Sequence, residues 1–275
     1  MNPDESDLIA LSSLTEKLPS VVSVDENALA KASFDGLKVA FTPAAVVTPK
    51  KTSQIGEVLE LANEFKIPVT TKGAGSSLTG GATPLKGGWV LDLSCLNTID
   101  VDADNMLVRC GPGAVISDIQ QKVSEHGLFY PPDPSSKDFC TIGGNIACNA
   151  GGLRCVKYGV TRDYVLSLCG YLPTGEYVQW GRETRKFATG YNIRDLWIGS
   201  EGTLGVVSQA VLRLIRKPDT RKTFLAAFET DREALRAPIE LTRLGIRPSI
   251  LEFLDQWTVK SVQSFTGKEV FPGIS

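Results

Sequence analysis

The chain has 275 residues, 42% hydrophobic and 22% charged, enough for one large or two moderate globular domains with a real core. Its formal net charge of −2, with both signs well mixed, excludes an electrostatic footprint for nucleic acid or an anionic membrane. No apolar run reaches the ~20 residues of a membrane span and no basic stretch precedes an apolar one at the N-terminus, so the expectation is a cytoplasmic protein.

In chain order, Leu8, Leu11, Leu14 and Leu18 recur at roughly helical spacing before Pro19, and residues 1–42 read as an N-terminal helical extension packed on the outside of the first domain. Residues 45–48 read as a short strand. Thr52 or Ser53 then caps a helix whose apolar positions Ile55, Val58, Leu59, Ala62 and Phe65 share one face, and Pro68 ends it. The strand-helix-strand unit delivers the chain to Lys72-Gly-Ala-Gly-Ser-Ser-Leu-Thr-Gly-Gly-Ala82.

Glycines at 73, 75, 80 and 81 permit positive φ and remove the Cβ atoms that keep a backbone away from a ligand, so consecutive N–H groups can converge on one anion. Such a loop suits a phosphate or pyrophosphate. A P-loop would close on Gly-Lys-Ser/Thr, and a dinucleotide fingerprint would need glycine at Leu78 and a helix after it. Neither pattern is met, because the strand-like run 89–93 follows: the loop joins strand to strand.

Further strands are expected at 98–101 and 106–110, turned as a hairpin by the turn formers of 102–105. Val115, Ile116, Ile119 and Val123 mark one face of a second amphipathic helix with Gly127 at its C-cap. The single histidine, His126, falls at that helix end, an exposed position favoured by the helix dipole. The proline-rich run 130–138 leads into a second glycine stretch, 141–152, with a hydroxyl and a carboxamide at a helix start. A hairpin of 165–172 and 176–180 follows, turning at 173–175. A third glycine cluster, 199–205, runs into a long β-branched strand, 206–215.

A composition change at 216–218 marks a domain boundary. Beyond it the pattern resets to strand 223–228, a helix from Asp231 with Thr230 and Glu233 as a capping box, strand 249–253, and a helix from Gln256. Pro238 should kink the first of these helices or shift its start. Six cysteines contain no C-x-x-C pair and read as buried, reduced thiols.

With the five stretches 72–82, 92–97, 134–152, 157–163 and 199–207 in this order, residues 43–216 resemble the vanillyl-alcohol-oxidase/p-cresol-methylhydroxylase (PCMH) type flavoproteins. The match is to the group of the glycolate oxidase FAD subunit and FAD-linked D-lactate dehydrogenase. The resemblance implies an α+β fold: a PCMH-type FAD-binding domain of two α+β subdomains over 43–217, then a partial ferredoxin-like cap over 218–275. It implies non-covalent FAD as cofactor, with the pyrophosphate on the loop at Gly73, Ala74, Gly75, Ser76 and Ser77, flanked by Lys72 and Gly80. Further cofactor contacts would come from Pro134, Ser135, Thr141, Gly143, Gly144, Asn145, Asn149, Gly151, Gly152, Glu201, Gly202, Gly205, Val206 and Val207. Lys72 stands where the family usually has arginine, and Ser76-Ser77 replaces a commoner Thr-Gly or Thr-Ser; neither change removes the backbone donors.

The implied partners are a small 2-hydroxy acid, an electron acceptor, and a second copy or heteromeric partner docking through residues 220–275. Relatives carry clustered catalytic histidines after a complete cap. A chain with one histidine that stops at Ser275 cannot hold such a site, so the catalytic acid/base groups are not identifiable in these residues and no metal site is expected.

Overall fold

A computed structural model describes residues 5–269; the outermost parts of the two expected flanking segments, 1–4 and 270–275, lie outside the described residues. The chain runs α1 (Glu5–Lys17), β1 (Val22–Ser23), α2 (Glu26–Ala32), β2 (Ala45–Val47), α3 (Ser53–Phe65), β3 (Val69–Lys72), β4 (Trp89–Asp92), β5 (Ile99–Asp102), β6 (Leu107–Cys110), α4 (Ile116–Ser124) and β7 (Leu128–Phe129). It continues through α5 (Ile142–Cys148), α6 (Cys155–Tyr158), a 3-10 turn at Thr161–Asp163, β8 (Val165–Tyr171), β9 (Tyr177–Gly181), α7 (Arg194–Trp197), β10 (Val206–Arg213), β11 (Ile215–Arg216), α8 (Asp231–Arg243) and α9 (Gln256–Thr266).

Two sheets, each with its own helices and core, give the two α+β subdomains the sequence implies. The first sheet has the order β1-β2-β4-β3; β2, β4 and β3 are parallel, joined by the α3 crossover and by the glycine loop, and β1 adds an antiparallel edge. Its core is fed by the periodic face of α3, where Ile55, Val58, Leu59 and Ala62 are buried against Trp89 and Leu91. The second sheet, β5-β6-β10-β8-β9, is antiparallel throughout and packs on α4 and α5 through Ile116, Ile119, Val123, Ile142 and Ile146. Successive residues of a strand face opposite sides of it. At the start of β10, Val206 accordingly joins the first core and Val207 the second, so this strand begins on the seam between the subdomains.

Several expectations are corrected. The N-terminal segment is more than an extension: β1 pairs with β2, and Ala10, Leu14 and Leu18 belong to the first core, while Leu8 is exposed. Thr52 is helical and its side chain caps nothing; Gln54 Oε1 instead accepts from the amides of Lys50 and Lys51. Gly127 has the positive φ of a helix terminus, but α4 ends at Ser124 with Glu125 as its C-cap. The expected long strand 206–215 divides into β10 and β11, the latter pairing with β7.

Residues 223–228 and 249–253 are not strands. Their apolar pattern is strand-like, but a strand exists only in a ladder, and among the described residues no chain segment pairs its N–H and C=O groups with either. Of the expected capping box at α8 only the N-cap half forms: the Thr230 hydroxyl oxygen accepts from the Glu233 amide, and Glu233 Oε2 lies 3.2 Å from that hydroxyl rather than on the Thr230 amide. Pro238 lies inside α8 without moving its start from Asp231.

Candidate cofactor site

Three glycine-bearing stretches far apart in sequence converge on the seam between the two sheets. The first leaves the carboxyl end of β3, in line with the general position of ligands outside the carboxyl ends of parallel strands. Gly73 lies so close to the Thr141 hydroxyl that a Cβ there would displace it, which brings the loop against the start of α5. Thr79 Oγ1 donates to Glu201 Oε2 at 3.3 Å, and the amides of Gly199 and Glu201 donate to Ile146 O and Ala147 O, each at 2.9 Å. The loop, α5 and the stretch before β10 are thereby fastened around one cleft.

The lining of this cleft includes Gly73, Thr141, Gly143, Gly144, Glu201, Gly202, Gly205, Val206 and Val207, all expected from sequence. Thr71, Leu93, Pro112, Ala147, Trp197 and Ser200 also line it and were not foreseen. A lone Trp197 on a four-residue helix carries no periodic signal; only the tertiary fold places it here. Pro134, Ser135, Gly151 and Gly152 border a second, more open depression together with Leu251 and Glu252. Asn149 takes the left-handed C-cap position of α5, and its Oδ1 accepts from the Arg162 amide at 2.9 Å. His126 is exposed beyond the end of α4, as expected.

Hydrogen-bond accounting separates the glycine stretches chemically. At the start of α5 the donors are already spent: the amides of Ile142, Gly143 and Gly144 go to Ala114 O at 2.8 Å, Pro112 O at 2.8 Å and Thr141 Oγ1 at 3.4 Å. The helix start expected to hold phosphate therefore offers no free amide there, because the loop at 112–114 and the Thr141 cap occupy it. In contrast, none of the six amides of residues 73–78 donates to a protein acceptor among the described residues. Gly75 within this run has φ +63°, a conformation that turns successive N–H groups inward as an anion nest requires. Ala74, Gly75, Ser76 and Ser77 all lie on this open segment, and Gly80 lies two residues beyond it.

Buried polar groups almost always find a partner. The side chain of Asn145 is an exception, 4% exposed with Nδ2 lacking an acceptor among the described residues. A group with acceptor oxygens lying along the loop and a polar edge near α5 would satisfy both sets of donors, which is what FAD presents. The residues present fit that cofactor.

Lys72 is placed differently from expectation. Its ammonium is buried and donates to Lys31 O, Ala32 O and Phe34 O at 3.1, 3.2 and 2.6 Å, behind the loop. Burial lowers its pKa, opposed by the charges of Asp92 and Asp35. Asp35, also unforeseen, is 1% exposed; its Oδ1 accepts from the Leu37 amide and its Oδ2 has no partner among the described residues.

Residues 43–181 match the family model described as FAD binding domain, and the chain belongs to that family. The family model makes it an FAD-binding domain, and its relatives include a glycolate oxidase subunit and a D-lactate dehydrogenase. The chain is 42% identical over 224 residues to the glycolate oxidase subunit GlcD of Bacillus subtilis (strain 168), covering 81% of this chain and 48% of that protein. It is 39% identical over 231 residues to the D-lactate dehydrogenase of Anaerostipes hadrus, covering 84% and 48%. Among solved structures, an alkyldihydroxyacetonephosphate synthase superposes with a TM-score of 0.81 at 23% identity, over 98% of this chain and 51% of that one. The chain thus spans about half the length of the curated relatives it matches.

Among the described residues no helix is long and apolar enough to cross a membrane, and no group of three or more His, Cys, Asp or Glu side chains is arranged to hold a metal ion.

Proposed function

We propose that the chain binds FAD non-covalently in the cleft between its two sheets and forms the flavin-binding half of an oxidoreductase acting on a small 2-hydroxy acid of the glycolate or D-lactate kind. The observation that carries this reading is the run of six amides at 73–78 unpartnered among the described residues, a pyrophosphate-sized set of donors that begins at Gly73 on the cleft wall. The names of the relatives supply the substrate class. When bound, FAD supplies the acceptor for the hydride of the hydroxy acid.

The chain's own residues hold, orient and shield. The backbone of Gly73, Ala74, Gly75, Ser76 and Ser77 takes the pyrophosphate, and Asn145 Nδ2 donates to a polar edge of the cofactor. Leu93, Pro112, Trp197, Val206 and Val207 exclude water from the cleft. Groups that would bind the acid and take its proton are not assigned to the described lining of this cleft, which carries no histidine: the one histidine is outside it and exposed. Those groups come from polypeptide corresponding to the other half of the relatives, or from a partner chain, reaching the site through residues 220–275. That same observation favours a second reading, in which the chain alone holds flavin and does not turn over.

The purified chain should be yellow, and acid precipitation should leave a colourless pellet. Anaerobic addition of glycolate or D-lactate then separates the two readings: bleaching of the flavin band supports a self-sufficient oxidoreductase half, and an unchanged band supports the incomplete one. A colourless protein that takes up no added FAD would overturn both.

A further inference from the structure

The six open amides of residues 73–78 pose a problem of preorganisation. A loop held by its own ladder keeps its shape without ligand, whereas one whose donors are all free must be shaped from outside. The neighbouring segment is the turn at 33–37, forty residues earlier in the chain. A Cβ on Gly36 would sit 2.6 Å from Ser77 O and 3.0 Å from Ser76 O, and one on Gly75 would meet Lys72 Cε at 2.8 Å and Phe34 O at 3.7 Å. Turn and loop therefore interlock backbone to backbone, with the Lys72 side chain threaded between them.

An ammonium has three donors and no acceptor. All three of Lys72's are directed at the carbonyls of Lys31, Ala32 and Phe34, the first two at the carboxyl end of α2, where a positive charge is favoured. Its Nζ also lies 5.7 Å from the Phe34 ring centroid, and the Asp35 charge is close enough to oppose the cost of its burial. No donor remains for a phosphate oxygen. A lysine beside a phosphate loop is ordinarily read as a direct phosphate ligand; here the geometry forbids it.

We propose that Lys72 is a positioning residue: it clamps the turn 33–37 to the back of the glycine loop and so holds the amides of residues 73–78 in their anion-binding arrangement. The proposal rests on the reading of the cleft as the FAD site, and it assigns to the N-terminal segment a part in cofactor affinity that neither its sequence nor its distance along the chain suggests.

The test compares Lys72→Met and Lys72→Arg with the unaltered chain in two measurements, the Kd for FAD and for riboflavin, and hydrogen exchange of residues 33–41 in flavin-free protein. Riboflavin has the ring but no pyrophosphate. The clamp predicts that Lys72→Met weakens FAD by roughly tenfold or more, the worth of one hydrogen bond to a charged group, leaves riboflavin within twofold, and speeds exchange at 33–41 without flavin. Lys72→Arg, which can still donate to the carbonyls, should recover part of both. A direct phosphate ligand would weaken FAD without changing exchange in flavin-free protein, and that outcome overturns the clamp, as does FAD affinity within twofold of the unaltered chain. If the unaltered chain binds no FAD, the reading of the cleft itself has failed.

Discussion

Asp133 and Arg154 form an ion pair, Nε to Oδ2 at 3.1 Å, and Asp133 Oδ1 also accepts from the Arg154 amide at 3.2 Å. The pair ties the segment entering Pro134 and Ser135 to the one leaving Gly151 and Gly152, the four residues that share the second depression. Arg154 further stacks over Phe129, its guanidinium carbon 5.0 Å from the ring centroid. Removing one partner of a buried pair leaves an uncompensated charge behind. Arg154 retains some exposure and Asp133 little, so Arg154→Met should cost about 3 kcal/mol, the low end for buried pairs. Asp133→Asn in the same chain should return part of that. Urea denaturation measures both; a single-variant loss under about 0.5 kcal/mol, the range of an ordinary surface change, would show that the pair holds nothing.

Gly75 lies at the centre of the open amides with φ +63°, a region a β-branched residue rarely enters, and a Cβ there would press on the Lys72 stem. Gly75→Val should therefore abolish FAD binding while far-UV circular dichroism stays near that of the unaltered chain, since the loop contributes little to either core. An unchanged FAD affinity would mean that this loop does not hold the cofactor.

Thiol reactivity should divide the cysteines by burial, which the expectation of buried thiols did not resolve. Cys95 and Cys148 are exposed; Cys110, Cys140 and Cys169 are buried; Cys155 is intermediate. Burial pushes the Cys110 thiol up to about 12 and raises Cys140, so at pH 8 neither is both ionised and accessible. Cys148 is raised too, by partial desolvation of its sulfur although the residue is exposed, and the nearby Ser77 hydroxyl opposes that rise. Ellman's reagent should modify Cys95 and Cys148 first in the native chain and all six after denaturation. Because Cys148 adjoins the loop at Ser77, saturating FAD should slow its modification and leave Cys95 unchanged; equal slowing of both would place the cofactor elsewhere.

Local chemistry was legible where a segment's structure is decided within a few residues. The face of α3, the hairpin of β5 and β6 turned at Asp102 to Asn105, the β8–β9 hairpin, and a glycine loop joining two strands all follow from short-range pattern. The convergence of three glycine stretches could be expected only from their order and the family resemblance, because the contacts of Gly73 with Thr141 and Thr79 with Glu201 span some seventy and 122 residues of chain. Two things were invisible. Whether a helix start still has free amides depends on which carbonyls lie opposite, so Ala114 O and Pro112 O at α5 could not be read from 141–145. A lysine's partners also depend on tertiary approach, so Lys72 looked like a ligand from its neighbours in sequence, while its acceptors are on α2 and the turn after it.

The segment after Pro218 offers the last prediction. It leaves large apolar side chains in water: Phe224 is 87% exposed, Trp257 75% and Phe265 92%, and neither α8 nor α9 buries a single residue. On α8, Leu235 and Ile239 stand four residues apart on one helical face, the spacing of an amphipathic helix that packs against something. Scattered exposed apolar residues are ordinary, but a run of them on two helices and the connecting chain is a surface that associates. Pairing with a second copy would cover it without any residue from outside the chain. The 275-residue chain at tens of micromolar should therefore scatter light as a dimer or larger assembly, and a chain ending at Pro218 should scatter as a monomer that still binds FAD, because both sheets and the cleft precede that point. A monomeric 275-residue chain, or an assembly that survives the truncation, would place the interface elsewhere.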